Sequence, residues 1–229
     1  MKFITSRICP FAQRVWLVLE QTKSEYEEVQ VSIKPGEKSE FFTSAYAASR
    51  GSDPKSDGKV PILQDGDVSM TESLHVADYV AAKAAAEGRE NILPTTPSER
   101  FFTGIFLEQG VSPLLGPFYG HLKAQTVEDQ AATKENLDAA FANLDKQLGT
   151  NKGGPFALGA RPSFADFMLY PFVERLVVLK HYRGYDVDAR LGNFYGWKAA
   201  IEELQSVKNT RQSPSFFIEG YEKYAKGPL

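Results

Sequence analysis

The chain carries one cysteine, Cys9, so any thiol chemistry must pass through that residue. It stands in Cys9-Pro10-Phe11-Ala12, where a short β-prone run, residues 2–6, hands over to a helix predicted to begin at Pro10. The first amides of a helix lack intrahelical partners, and the aligned peptide dipoles put partial positive charge there. A thiolate is stabilised at such a place, and helix N-termini bring cysteine pKa values to about 3.5–7.5 from about 8.5. Arg7 and Arg14 add positive potential nearby. A lone cysteine is more commonly a small buried core residue, but its position between a strand and a helix-initiating proline favours the reactive reading. Position 12 is alanine, so the chain has no Cys-x-x-Cys pair and no resolving thiol. Disulfide exchange here must be monothiol, with a second small thiol releasing the product.

Other chemistries find little support. His75, His121 and His181 are far apart and show no metal-ligand spacing. No glycine-rich phosphate loop, dinucleotide fingerprint or Ser/His/Asp set stands out. The formal net charge is −3, and the basic residues are scattered rather than striped, which argues against a nucleic-acid partner. No run approaches the roughly 18 apolar residues of a membrane span, and the start MKFITSRICPF turns polar too early for a secretory signal. A single cysteine cannot form an internal disulfide, which fits a reducing compartment, and the cytosol is the expected location. A trimmed organelle-targeting segment would leave no trace.

The elements that must hold Cys9 follow from periodicity. Residues 10–22 repeat apolar side chains at helical spacing (Phe11, Val15, Val18, Leu19). Residues 26–33 alternate as a strand, 40–48 suit a second helix, and 49–59 form a polar loop rich in Gly, Pro and Asp. Strands are predicted at 60–64 and 67–70, joined by Asp65–Gly66, a hairpin signal. An alanine-rich helix follows over 73–87 with Gly88 as its cap. The order β-α-β-α-β-β-α describes an α/β thioredoxin-like domain with a mixed sheet over residues 1–87. A linker is placed at 88–97, and residues 98–229 form an all-helical domain. Within it, 104–120 carries Gly104, Gly110, Pro113, Gly116 and Pro117, so any helix there is expected to be broken. Residues 128–148 are amphipathic through Leu137, Phe141, Leu144 and Leu148. The stretch 164–181 is apolar nearly all round and should be a buried central helix kinked at Pro171.

C-P-F-A-Q-R-V, K-V-P-I-L, T-E-S-L and F-A-L-G-A-R-P-S-F-A-D, in this order, resemble the glutathione transferase superfamily over nearly the whole chain. The active-site stretch is most similar to the cysteine-type omega and lambda classes. The resemblance implies glutathione as co-substrate and Cys9 as the catalytic residue, with Phe11 among the residues that meet the peptide. Val60–Pro61 matches the family's cis-proline, and Val60 would pair through its backbone with the cysteinyl part of glutathione. X–Pro bonds are the ones that tolerate the cis form, although an ordinary strand-edge proline would look the same. Glu72 and Ser73 match the acidic–serine pair that holds the γ-glutamyl ammonium and carboxylate, a role compatible with plain helix capping by Thr71 or Ser73. Lys38 matches a lysine that meets the glycyl carboxylate, with Lys34 as a rival. Ser163-Phe164-Ala165-Asp166 reads as a capping box and is structural. Arg175 matches an omega-class arginine facing the co-substrate pocket, for which Phe118, Tyr119 and Phe217 are further candidates.

The implied function is a glutathione-dependent thioltransferase or reductase, including deglutathionylation and dehydroascorbate reduction. Partners are then small-molecule thiols, disulfides or electrophiles, with no metal, and the protein is a monomer or homodimer. One alternative is a conjugating transferase, for which Thr5 and Ser6 lie near the hydroxyl that other classes use. Another is a non-enzymatic protein of the same fold, a scaffold or a chloride-channel-like protein. The charged residues Glu20, Lys23, Glu25, Glu27 and Glu28 make membrane insertion after Cys9 expensive.

Overall fold

A computed structural model describes residues 1–50, 57–150 and 153–227. The chain divides into two compact units, Met1–Leu93 and Pro94–Leu229, with the boundary inside the 88–97 segment read as a linker.

The first unit runs β1 (Lys2–Thr5), α1 (Pro10–Gln21), β2 (Glu27–Gln30), α2 (Glu40–Arg50), β3 (Ile62–Asp65), β4 (Val68–Thr71) and α3 (Ser73–Ala86). Its sheet has the order β2-β1-β3-β4. β1 pairs parallel with β2 and antiparallel with β3, and β3 pairs antiparallel with β4, so the sheet is mixed. Phe3, Ile4, Ile62 and Leu63 on the two central strands are fully buried, and α1 and α3 pack together. Ala12 through Leu19, the polar Gln13 and Arg14 included, are buried without interruption, a wider buried surface than the one-faced stripe read from the sequence. Three boundaries move. β2 stops at Gln30, short of the predicted 33, where the last rung is the Val31 amide on the Thr5 carbonyl. β3 starts at Ile62, after the proline that brings no amide to the ladder. The hairpin turn is Gly66–Asp67, one residue beyond the expected Asp65–Gly66, because Asp65 still pairs with Val68 and Gly66 takes the positive φ of 58°. The centre of the polar 49–59 stretch, residues 51–56, lies outside the described residues.

The second unit is helical: α4 (Pro97–Ile105), a π-helical turn (Phe106–Val111), α5 (Ser112–Lys123), α6 (Val127–Thr150), α7 (Phe164–Glu174), α8 (Leu176–Arg183), α9 (Gly192–Glu202), α10 (Gln205–Thr210) and α11 (Pro214–Lys226). The 104–120 segment, expected to break, is wound throughout. The π turn gives the Ser112 amide to the Leu107 carbonyl. Pro113 then falls in the first turn of α5, where a missing N–H costs least. The carbonyl of Gln109, four residues before Pro113, takes its hydrogen bond from the Asn143 side chain on α6.

α7 is buried from Phe164 to Val173, as its composition suggests. The helix does not run on to 181 but stops at Glu174, and α8 begins afresh at Leu176. In a continuous helix the Arg175 amide would meet the Pro171 carbonyl. Here that amide turns to the Val173 carbonyl and the Arg175 guanidinium donates to Pro171 O at 2.7 Å. The helix therefore ends one turn beyond Pro171, with the Arg175 side chain in place of its amide on the Pro171 carbonyl. The carboxylate of Asp166, fully buried, takes four hydrogen bonds: Ser163 N–H and Oγ at 2.8 and 2.7 Å, Ala157 N–H at 2.8 Å and the Trp197 indole at 2.8 Å. Arg183 ties the ends of two helices, donating to the carbonyls of His121 and Leu122 on α5 and Ala225 on α11.

Candidate active site

The register of the central strands decides which loops meet. Because β1 and β3 are antiparallel with Ile4 opposite Ile62, the end of β1 lies beside the start of β3. Ile62 is also opposite Thr71, so the end of β4 arrives at the same edge. Three connections therefore converge there: Ser6–Cys9 entering α1, Val60–Pro61 entering β3, and Glu72–Ser73 entering α3.

Cys9 is the N-cap of α1, with extended backbone (φ −80°, ψ 119°), and Pro10 opens the helix. Its amide donates to Ser6 O at 2.9 Å and its carbonyl receives the Gln13 amide at 3.1 Å, which fixes the thiol at the helix start. Sγ lies 4.0 Å from the Val60 carbonyl oxygen and is partly exposed. The Val60–Pro61 peptide bond is cis. The Pro61 carbonyl is held by the Thr71 hydroxyl at 3.0 Å, which links the cis turn to the end of β4.

Glu72 caps α3 with φ 72°, ψ 104°, a region that costs a non-glycine residue roughly 1–3 kcal/mol. Its carboxylate is half-exposed and meets Arg50 Nη1 on α2 at 2.5 Å. Ser73, first residue of α3, is buried, and its hydroxyl lies 3.5 Å from Nη1 of the buried Arg14. Arg14 in turn lies over the Phe11 ring, 5.3 Å from its centroid. Phe11, Arg14 and Ser73 thus connect the cysteine's helix to the start of α3.

The two arginines expected beside the thiol have different occupations. Arg7 forms a two-pronged pair with Glu28 on β2, at 3.1 and 2.8 Å, and stacks on Trp16. That bond to Glu28 raises the arginine's pKa further. Lys38 is ion-paired with Asp57, whereas Lys34 is exposed and only 4.0 Å from Glu37. Thr5, one of the two hydroxyl residues considered for conjugation, is buried in β1. Of the four co-substrate candidates, Phe118, Arg175 and Phe217 are fully buried, with the Arg175 guanidinium 4.4 Å from the Phe217 ring centroid, and Tyr119 is half-buried against Phe118 and Tyr224. Sequence reasoning missed Arg50. A charged residue closing a helix gives no signal of the acid it will meet twenty-two positions on. Among the described residues, no three His, Cys, Asp or Glu side chains converge as a metal-binding group, and no helix is long and apolar enough to cross a membrane.

The same chain regions match known proteins. Residues 3–88 match the N-terminal domain of glutathione S-transferases and residues 127–200 match their C-terminal domain. The chain belongs to the glutathione transferase family. It is 28% identical over 219 residues to glutathione S-transferase DHAR2 of Arabidopsis thaliana, covering 93% of this chain and 89% of that one. It is 26% identical over 183 residues to glutathione S-transferase omega-1 of Mus musculus, covering 79% and 68%. Among solved structures it is similar to glutathione transferase Omega 3C from Trametes versicolor, with a TM-score of 0.81, 25% identity and coverage of 98% and 90%. In this glutathione transferase the thioredoxin-like unit carries Cys9, Val60–Pro61 and Glu72–Ser73 at one sheet edge. Ser73 at the start of α3 sets a neutral hydroxyl beside the Glu72 carboxylate there.

Proposed function

We propose that this glutathione transferase catalyses glutathione-dependent thiol transfer through a mixed disulfide on Cys9. The observation that carries the reading is the thiol at the N-cap of α1, 4.0 Å from the backbone of the residue before a cis-proline. A thiolate there is favoured by the helix terminus, and Val60 offers backbone groups with which a peptide's cysteinyl unit can pair.

Cys9 attacks the glutathionyl sulfur of a substrate disulfide R–S–S–G. The Cys9–S–S–G bond forms, the disulfide bond between RS and SG breaks, and RS⁻ leaves and takes up a proton. A glutathione thiolate then attacks the glutathionyl sulfur of the mixed disulfide, forming oxidised glutathione and returning the Cys9 thiolate. The net change is RSSG + GSH → RSH + GSSG. With Ala12 at the position where a resolving thiol would stand, the second thiol must come from solution. Reduction of dehydroascorbate, which the likeness to DHAR2 supports, enters differently. The Cys9 thiolate adds to a carbonyl carbon, and a first glutathione attacks the Cys9 sulfur to release ascorbate and form the same mixed disulfide. A second glutathione returns the Cys9 thiolate, so that dehydroascorbate + 2 GSH → ascorbate + GSSG.

The test is intact mass after incubation with oxidised glutathione. One glutathionyl adduct on Cys9, removed by reduced glutathione, is expected. Absence of the adduct, or full thioltransferase turnover by Cys9→Ser, would overturn the mechanism. Parallel assays with a chloro-nitroaromatic acceptor separate this chemistry from conjugation.

A further inference from the structure

The ion pair between Arg50 and Glu72 joins two residues of opposite charge at the edge where the γ-glutamyl end is read to dock, on which reading the present inference rests. Glu72 alone suits an ammonium but repels the carboxylate carried on the same carbon. Arg50 changes that balance. Its Nη1 is 2.5 Å from Glu72 Oε1, and among the described residues Glu72 is its one hydrogen-bond partner. A guanidinium has five N–H donors, so the rest of the fork remains for a second acceptor. Both side chains are substantially exposed, and the Arg50 guanidinium lies 5.9 Å from the Tyr46 ring centroid, on the same helix. Ser73 Oγ, held by the buried Arg14, supplies a neutral donor beside them.

We propose that Arg50 is a specificity-determining residue for the peptide, with Arg50 and Glu72 together reading the zwitterion of a terminal α-amino acid. Glu72 takes the ammonium and Arg50 the carboxylate. The pair holds each side chain near its place and opens when the zwitterion inserts its own two charges. Arginine at this position presents a planar fork that matches a carboxylate, which lysine does not.

The experiment measures binding of reduced glutathione by calorimetry under reducing conditions, for the wild-type chain and for Arg50→Gln, Arg50→Lys and Glu72→Gln. A second probe is 4-aminobutyryl-cysteinyl-glycine, which keeps the ammonium but lacks the α-carboxylate. Arg50→Gln is expected to weaken glutathione binding about three- to tenfold, with Arg50→Lys between, and to leave binding of the decarboxylated peptide unchanged. Unchanged or tighter glutathione binding by Arg50→Gln would overturn the inference, tighter binding meaning that Arg50 merely competes for Glu72. An equal loss for both peptides would overturn it too. Loss in Glu72→Gln without loss in Arg50→Gln leaves the docking reading standing and sinks this one, whereas normal glutathione binding by Glu72→Gln sinks both. Both residues are at the surface, and coincident melting curves confirm that the variants keep the fold.

Discussion

The side-chain amide of Asn143 on α6 donates to the backbone carbonyl of Gln109, the acceptor that Pro113 leaves without an α-helical donor. One residue thus compensates for the proline that would otherwise interrupt the 97–123 helix. Asn143→Ala is expected to destabilise the protein by about 0.5–1.5 kcal/mol. Pro113→Ala returns an amide to that position, so Asn143→Ala should cost less in its background. Urea denaturation of the two single variants and the double variant measures the coupling, and strict additivity would refute it.

Asp166 gathers donors from three segments, the Ala157 loop, the α7 cap and Trp197 on α9. Loss of an ordinary N-cap costs about 0.5–2 kcal/mol. Here truncation also strands a buried indole N–H and a buried amide, so Asp166→Ala should cost about 3–5 kcal/mol. Denaturation followed by tryptophan fluorescence reads both the midpoint and the lost contact to Trp197.

Glu72 combines a strained backbone with a site carboxylate. Glu72→Gly relaxes the φ of 72° while removing the side chain. Thermal stability should rise by about 1 kcal/mol as glutathione binding falls. Glu72→Gln, which keeps the strain, should lose binding without the gain in stability.

His121 gives the fold a pH dependence. Its ring is buried, with Nδ1 3.0 Å from Thr133 Oγ1 and its edge against Tyr185, and Nε2 has no hydrogen-bond partner among the described residues. Burial lowers its pKa below the usual 6.5; Arg183 and Lys134 act the same way, and Asp138 opposes them. Because the unfolded chain takes up the proton first, the contribution of neutral His121 is complete above about pH 6.5. It is lost as pH falls through the lower folded value. Asp166 runs the other way: burial raises its carboxyl above 3.8, against the lowering by the hydrogen bonds from Ala157, Ser163 and Trp197. Urea midpoints from pH 7 downward should fall more steeply for the wild type than for His121→Gln. Parallel curves would remove His121 from the account.

Legibility in the sequence followed how local each signal was. Pro10 after Cys9, the alternation around Ile62 and the Leu137–Leu148 stripe are local patterns, and the corresponding elements stand close to where they are expected. The wound 104–120 segment was illegible because the donor that permits it, Asn143, comes from another helix. The end of α7 at Glu174, inside the helix expected over 164–181, was illegible for a related reason, since the Arg175 side chain rather than its amide meets the Pro171 carbonyl. At the site, Cys9, Val60–Pro61 and Glu72–Ser73 were legible as motifs, and the antiparallel register explains their meeting. The ion partners were not: Arg7 goes to Glu28, Lys38 to Asp57 and Arg50 to Glu72, pairings that only the folded chain defines.

The groups described around Cys9 come from the segment Ser6–Ser73, less than a third of the chain. Mutational tolerance should divide accordingly. Substitutions scattered through residues 94–229, outside the Asp166 and Arg183 tethers, ought to leave the reactivity of the thiol itself unchanged. A randomised library restricted to those residues, screened for folded variants, would then rarely change the rate at which iodoacetamide alkylates Cys9.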